Sequence, residues 1–114
     1  MENSNDKFVN QLKKGLFELC ILLILKKKDT YGYEINKRLN DLPLFGVSEG
    51  AIYPVLKRLV SYDYVNTYWV ENEVGPARKY YSITKLGESL IDERMETFQL
   101  LFHSVSILKK ECES

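Results

Sequence analysis

The sequence predicts an α+β chain, mostly α, in which three helices precede a two-stranded hairpin and one long helix follows it. Three observations carry that prediction. Apolar residues recur at helical spacing over residues 8 to 28 and again over residues 84 to 110. Two short runs rich in aromatic and β-branched residues flank a Gly-Pro pair. The chain has 114 residues, 45% hydrophobic and 28% charged, which suits one soluble domain with a core of its own.

The first helix is expected over residues 8 to 28. Phe8, Leu12, Leu16, Leu19 and Leu23 follow one another at gaps of three and four, and the second half is apolar nearly all round. Lys26, Lys27 and Lys28 suit the negative end of its dipole. A helix apolar on every side must be covered on every side, which places it at the centre and partly against another copy of the chain. A second helix is expected over 30 to 41, capped by Asp29 or Thr30, with Ile35 and Leu39 on one face. Asp41-Leu42-Pro43 stops it, because the residue before a proline is pushed out of the helical region.

The third helix is expected over 48 to 62 with Ser48 as its N-cap, and Ile52, Val55, Leu56, Leu59 and Val60 form its apolar face. Pro54 leaves two readings open: a regular helix that begins near Tyr53, or a kink. Residues 64 to 70 and 78 to 83 read as two antiparallel strands around the turn segment 71 to 77. Residues 84 to 110 read as one helix capped by Thr84. Ile91, Met95, Phe98, Phe102 and Val105 run along it at gaps of 4, 3, 4 and 3, a coiled-coil-like seam widened by Leu86, Leu90, Leu101 and Leu108. Such a helix, ~40 Å long at 1.5 Å per residue, outruns a domain of this size. The economical cover for its far half is the same helix of a second copy, in a two-fold homodimer.

Composition excludes several classes of function. Sixteen basic residues balance sixteen acidic ones, so no bulk charge draws the chain to DNA or to a membrane surface. Cys20 and Cys112 cannot make a disulfide framework, and with His103 they are too few for a metal site, so no metal or cofactor is expected. Cys20 reads as a small core residue. Glu2 and Asp6 precede the first apolar run and no small-residue cleavage site follows it, so no leader is expected, and the seven apolar residues 19 to 25 fall far short of the ~20 that span a bilayer. A cytoplasmic protein without a membrane partner is expected. No nucleophile elbow, phosphate loop or paired His and Cys is present, so the chain does not read as an enzyme.

Three helices followed by a hairpin is the order of a winged helix-turn-helix, in which the third helix enters a major groove and the hairpin reaches the neighbouring backbone. Ser48 and Gly50 would bring a hydroxyl and bare N–H groups to the front of that helix. Tyr53, Lys57 and Arg58 follow on its polar side, and Arg78-Lys79-Tyr80 opens the second strand. Against this, residues 30 to 83 carry six basic and six acidic side chains, and Glu71 and Glu73 stand in the wing. A winged-helix module that binds protein and no DNA is therefore the alternative reading.

Three blocks then become recognisable: Tyr31-Gly-Tyr-Glu-Ile35, Ser48-Glu-Gly-Ala-Ile-Tyr-Pro-Val-Leu-Lys-Arg-Leu59, and Gly75-Pro-Ala-Arg-Lys-Tyr-Tyr-Ser-Ile-Thr84 with Gly87. In this order and spacing they resemble the PadR family of bacterial transcriptional regulators, and the short length resembles its smaller subgroup, which includes a multidrug-sensing repressor. The resemblance implies a dimeric DNA-binding repressor: residues 1–83 form the winged helix-turn-helix with its N-terminal helix, and 84–114 the C-terminal dimerisation helix. It places groove reading on Ser48, Glu49, Gly50, Ala51 and Tyr53, and backbone contacts on Tyr31, Lys57, Arg78 and Lys79. It assigns dimerisation to the first and last helices, that is Leu12, Leu16, Leu19, Leu90, Ile91, Met95, Phe98, Phe102 and Val105. The implied partners are a double-stranded inverted-repeat operator, a second copy, and a small aromatic or planar effector for which Phe17, Met95, Phe98 and Phe102 are the candidates. The family often has Thr where this chain has Ala51, and usually Gly where it has Asp63. Asp tolerates the left-handed conformation such a turn needs. The subgroup's stacking tryptophan is absent from the last helix; the only Trp is Trp69, in the first strand.

Overall fold

The computed structural model describes residues 3–113. The order of elements is α1 (Ser4–Lys27), β1 (Thr30–Tyr31), α2 (Gly32–Asn40), α3 (Ile52–Ser61), β2 (Val65–Val70), β3 (Arg78–Ile83) and α4 (Lys85–Glu113). The predicted class holds: a mostly helical α+β winged helix with a long last helix.

Helix α1 starts a turn earlier than the apolar pattern indicates. Asn3 and Asp6 form a reciprocal capping box, each side chain accepting from the other's backbone N–H at 2.8 and 3.3 Å. The expected second helix is shortened by a strand. Thr30 and Tyr31 are extended and pair with Tyr81 and Tyr80, so the sheet has three strands in the order β1-β3-β2 rather than two. Neither Asp29 nor Thr30 caps α2; its N-cap is Tyr31, without a side-chain cap bond. Two extended residues have no periodicity to read, and the waiting edge of β3 satisfies their backbone groups.

Of the two readings left open by Pro54, the later start is correct. Helix α3 begins at Ile52, so Pro54 falls in its first turn, where a missing N–H has no helical partner to lose. Ser48 is not the N-cap. Its carbonyl closes a turn with the Ala51 N–H at 3.1 Å and accepts from Asn36 Nδ2 at 3.1 Å. Asp63 takes the left-handed conformation, φ 63°, that the sequence suggests for the turn after α3. Thr84 caps α4 as expected: its Oγ1 accepts from the Gly87 N–H at 3.0 Å and donates to the Asp63 carbonyl at 2.7 Å. At Gly87 a Cβ would overlap the Tyr64 carbonyl oxygen and lie 2.7 Å from Ile83 Cγ1, so α4 leaves the sheet at closest approach.

The core gathers Ile21, Leu22 and Leu25 of α1, Ile35 and Leu39 of α2, Ile52, Leu56 and Leu59 of α3, and Val65 of β2, all fully buried. Each such side chain contributes about 1.5–3 kcal/mol of burial. Leu19, Leu90 and Ile91 join this core too. The protomer itself therefore covers most of these three side chains, which the sequence places among the dimer contacts. Helix α4 then runs past the core. The radius of gyration is 16.9 Å, against about 13 Å for a compact chain of this length. The accessible surface is 8559 Å², roughly 2,000 Å² more than a compact monomer of this mass exposes.

Candidate nucleic-acid interface

The sheet and the two short helices meet at one groove. It is lined by Tyr31, Gly32, Tyr33, Tyr53, Arg78, Lys79 and Tyr81. Pairing of β1 with β3 sets Tyr31 beside Tyr80, and the two rings lie 5.4 Å apart. Arg78 opens β3 and turns back over Tyr31. Its guanidinium sits 4.6 Å from the ring centre, and Nη1 donates to the Tyr31 hydroxyl at 3.2 Å. The hydroxyl in turn donates to Glu34 Oε1 at 3.4 Å. The cation is thus held by a ring face and one hydrogen bond while the side chain stays exposed. Lys79 lies on the other face of the strand, its ammonium 6.0 Å from the Tyr81 ring centre.

Helix α3 contributes Tyr53. A Cβ on Gly32 would meet the Tyr53 ring at 2.7 Å, so the ring lies on bare glycine backbone at the start of α2. Burial raises the ionisation of Tyr81 above the ordinary phenol value, and the neighbouring Tyr53 hydroxyl adds to that. On the opposite face of the sheet Tyr68 packs on Tyr80 at 5.7 Å and donates to Asp29 Oδ2 at 2.7 Å, which raises its ionisation as well. Asp29 closes the α1–β1 connection, so this bond ties the wing to the end of α1.

The structure therefore gathers four of the nine expected contact residues, Tyr31, Tyr53, Arg78 and Lys79, at one groove. Ser48, Glu49 and Gly50 are exposed in the turn before α3, and Lys57 is exposed one helical turn after Tyr53. Ala51 lies elsewhere. It is half-buried in a separate cleft between α1 and α3, with Lys13, Lys14, Phe17, Val55 and Arg58. Arg58 is drawn to Glu18 of α1 at 3.5 Å. Sequence reasoning missed Gly32, Tyr33 and Tyr81 as groove residues; the Tyr-Gly-Tyr spacing at the mouth of α2 was the available signal.

The candidate effector residues are not brought together. Phe17 packs against Phe45 at 6.1 Å and lines the α1–α3 cleft, and Met95 is half-buried against the core. Phe98 and Phe102 are exposed far along α4. With Leu101, Val105 and Leu108 they form an uncovered apolar stripe, and Phe8 and Leu12 are exposed on α1. Leu16 is half-buried. Among the described residues no group of His, Cys, Asp and Glu could hold a metal ion, and no helix is long and apolar enough to cross a membrane.

Comparison with known proteins decides what kind of protein carries this groove. Residues 21–93 match the model of the transcriptional regulator PadR-like family. The chain belongs to the PadR-like family. Among solved structures it is similar to a PadR-like transcriptional regulator from Bacillus cereus, at 36% identity and a TM-score of 0.76, covering 86% of this chain and 95% of that one. It is also similar to a Streptococcus transcriptional regulator, at 31% identity and a TM-score of 0.77, covering 87% of this chain and 97% of that one. An uncharacterized protein of Lysinibacillus sphaericus is 33% identical over 82 residues, 70% of this chain and 75% of its own length. Members of the PadR-like family are transcriptional regulators, so this winged helix belongs to a regulator and not to an enzyme.

Proposed function

We propose that this PadR-like regulator is a sequence-specific DNA-binding repressor that acts as a homodimer in the cytoplasm and is released by a small aromatic or planar effector. The observation that carries the reading is the gathering of Tyr31, Tyr53, Arg78 and Lys79 along one groove beside α3. Two cations and two hydroxyls there match phosphate oxygens, while the exposed 48–50 turn, Tyr53 and Lys57 stand at the helix that reads base edges. The surplus of roughly 2,000 Å² per protomer, about 4,000 Å² for a pair, falls within the roughly 2,000–5,000 Å² that obligate homodimers bury, and the apolar stripe of α4 supplies its chemistry. Leu12, Leu16, Met95, Phe98, Phe102 and Val105 are the dimer contacts in this reading. The two α3 helices then enter successive major grooves about 34–36 Å apart, and the operator is an inverted repeat. Phe98 and Phe102, with Met95 and Phe17, are the candidate effector contacts.

Fluorescence anisotropy with the protein's own promoter DNA tests the reading. With about 6–10 phosphates engaged, affinity falls steeply between 50 and 200 mM salt. Lys79→Ala weakens binding to all sequences, whereas Ser48→Ala also changes base preference. A flat salt response and equal affinity for scrambled DNA would refute it. The neutral charge of residues 30 to 83, with Glu71 and Glu73 in the wing, favours a second reading, a protein-binding module. Co-purification of a protein partner without promoter binding would establish that one instead.

A further inference from the structure

Trp69 is the only tryptophan in the chain, and 67% of it is exposed. It lies in β2, the outer strand of the sheet, directly opposite Lys79 in the register. Strand alternation puts Thr67 and Trp69 on the same face as Lys79 and Tyr81. Lys79 and Tyr81 both line the groove beside α3, so the indole shares its sheet face with two of the groove's residues. Directly paired residues hold their Cβ atoms about 4.5–5.5 Å apart, so the Trp69 and Lys79 side chains leave the ladder as neighbours. Among the described residues the indole has no ring, cation or hydrogen-bond partner. A single exposed apolar residue is ordinary on a protein surface. A large flat ring with an unused N–H donor, one position across from a groove cation, is a contact surface of a particular kind.

We propose that Trp69 is a further DNA-contacting residue, its indole packed on the sugar–phosphate backbone that Lys79 grips. The proposal rests on the DNA-binding reading and adds an apolar contact to an interface otherwise built from cations and hydroxyls. A duplex backbone offers both halves of what the ring needs, deoxyribose carbons for its face and phosphate oxygens for its N–H. Glu71 and Glu73 follow in the connecting turn and repel phosphate, which confines the contact to the Trp69–Lys79 and Val70–Arg78 rungs of the ladder. Because the ring touches backbone, it adds affinity for duplex DNA without choosing the sequence.

The unique tryptophan makes its own reporter. Promoter duplex is titrated into the intact protein while anisotropy of a labelled strand and indole emission, excited beyond tyrosine absorption, are followed together. The expected result is an emission change and loss of acrylamide quenching with the same midpoint as the anisotropy. Trp69→Ala is expected to weaken operator and scrambled DNA alike by on the order of tenfold, from the partial burial of one large side chain. Trp69→Phe is expected to restore most of that affinity, with unchanged circular dichroism in both variants. Anisotropy that rises while emission and quenching stay constant would overturn the role of Trp69 and leave DNA binding standing. No anisotropy change at all would overturn both. Emission that changes with protein concentration alone would assign the wing edge to contacts between copies and overturn the proposal.

Discussion

Phe102→Ala is the direct test of the interface proposed for α4. The side chain is 66% exposed in the protomer. An aromatic side chain carries roughly 150–200 Å² of surface, so about 100–130 Å² remains to be covered by a partner. At about 25 cal/mol per Å² this is about 2.5–3 kcal/mol, and two-fold symmetry counts it twice. The retained methyl and imperfect burial at a helix–helix seam remove about half of the doubled figure. The net loss of about 2.5–3 kcal/mol corresponds to a roughly 60- to 150-fold rise in the dimer dissociation constant. Sedimentation equilibrium over a dilution series measures it. The protomer's own fold is unaffected, because Phe102 packs on none of the buried core, and circular dichroism checks that. Equal dissociation constants for the variant and the parent, or a parent that is monomeric at micromolar concentration, would refute the reasoning.

The remaining predictions concern contacts within the protomer. Gly87→Ala drives a methyl into the Tyr64 carbonyl and Ile83; it is expected to cost about 2–3 kcal/mol and lower Tm by roughly 10 °C, and an unchanged melting curve contradicts the close approach. Gly32→Ala displaces the Tyr53 ring instead, so stability changes by less than about 1 kcal/mol while promoter affinity falls severalfold; full affinity would remove Tyr53 from the site. Tyr68 and Tyr81 ionise above the ordinary phenol value, the first through its hydrogen bond to Asp29 and the second through burial. Their contributions are present below the unfolded value of about 10 and are lost as pH rises through the raised native values. An ultraviolet phenolate titration is expected to show a late phase that shrinks in Tyr68→Phe, and identical titrations would contradict the Tyr68–Asp29 bond.

Much of the fold was legible because hydrophobic period and punctuation agree. The strands 78–83 and 64–70 are bracketed by Asp63, the Gly75-Pro76 turn and Thr84, and their observed limits differ from the reading by one residue. The start of α1 was hidden because its first turn is polar and is held by the Asn3–Asp6 box rather than by burial. Strand β1 was hidden because Thr30 and Tyr31 take their conformation from β3, nearly fifty residues away. Among site residues, Arg78 and Lys79 could be read from their place at a strand mouth. Ala51 could not be placed, because the 49–51 turn faces it toward α1 and not toward Tyr53. The split within α4, with Leu90 and Ile91 inside the protomer and Phe98 onward outside, depends on where the core ends, which periodicity alone does not mark.

Thr84 is the sole residue between the last rung of the sheet and the first turn of α4, and both its hydroxyl and its backbone N–H are tied to the 63–64 corner. Gly87 removes the remaining slack. Wing and rod are thereby welded into one rigid crank. A tilt of about 5° along a rod of ~43 Å, taken at 1.5 Å per residue, carries one end roughly 4 Å relative to the other. That exceeds the reach of a hydrogen bond, about 2.7–3.2 Å, so in the proposed repressor a small rotation at the tail would suffice to lift Arg78 and Lys79 off the phosphates assigned to them.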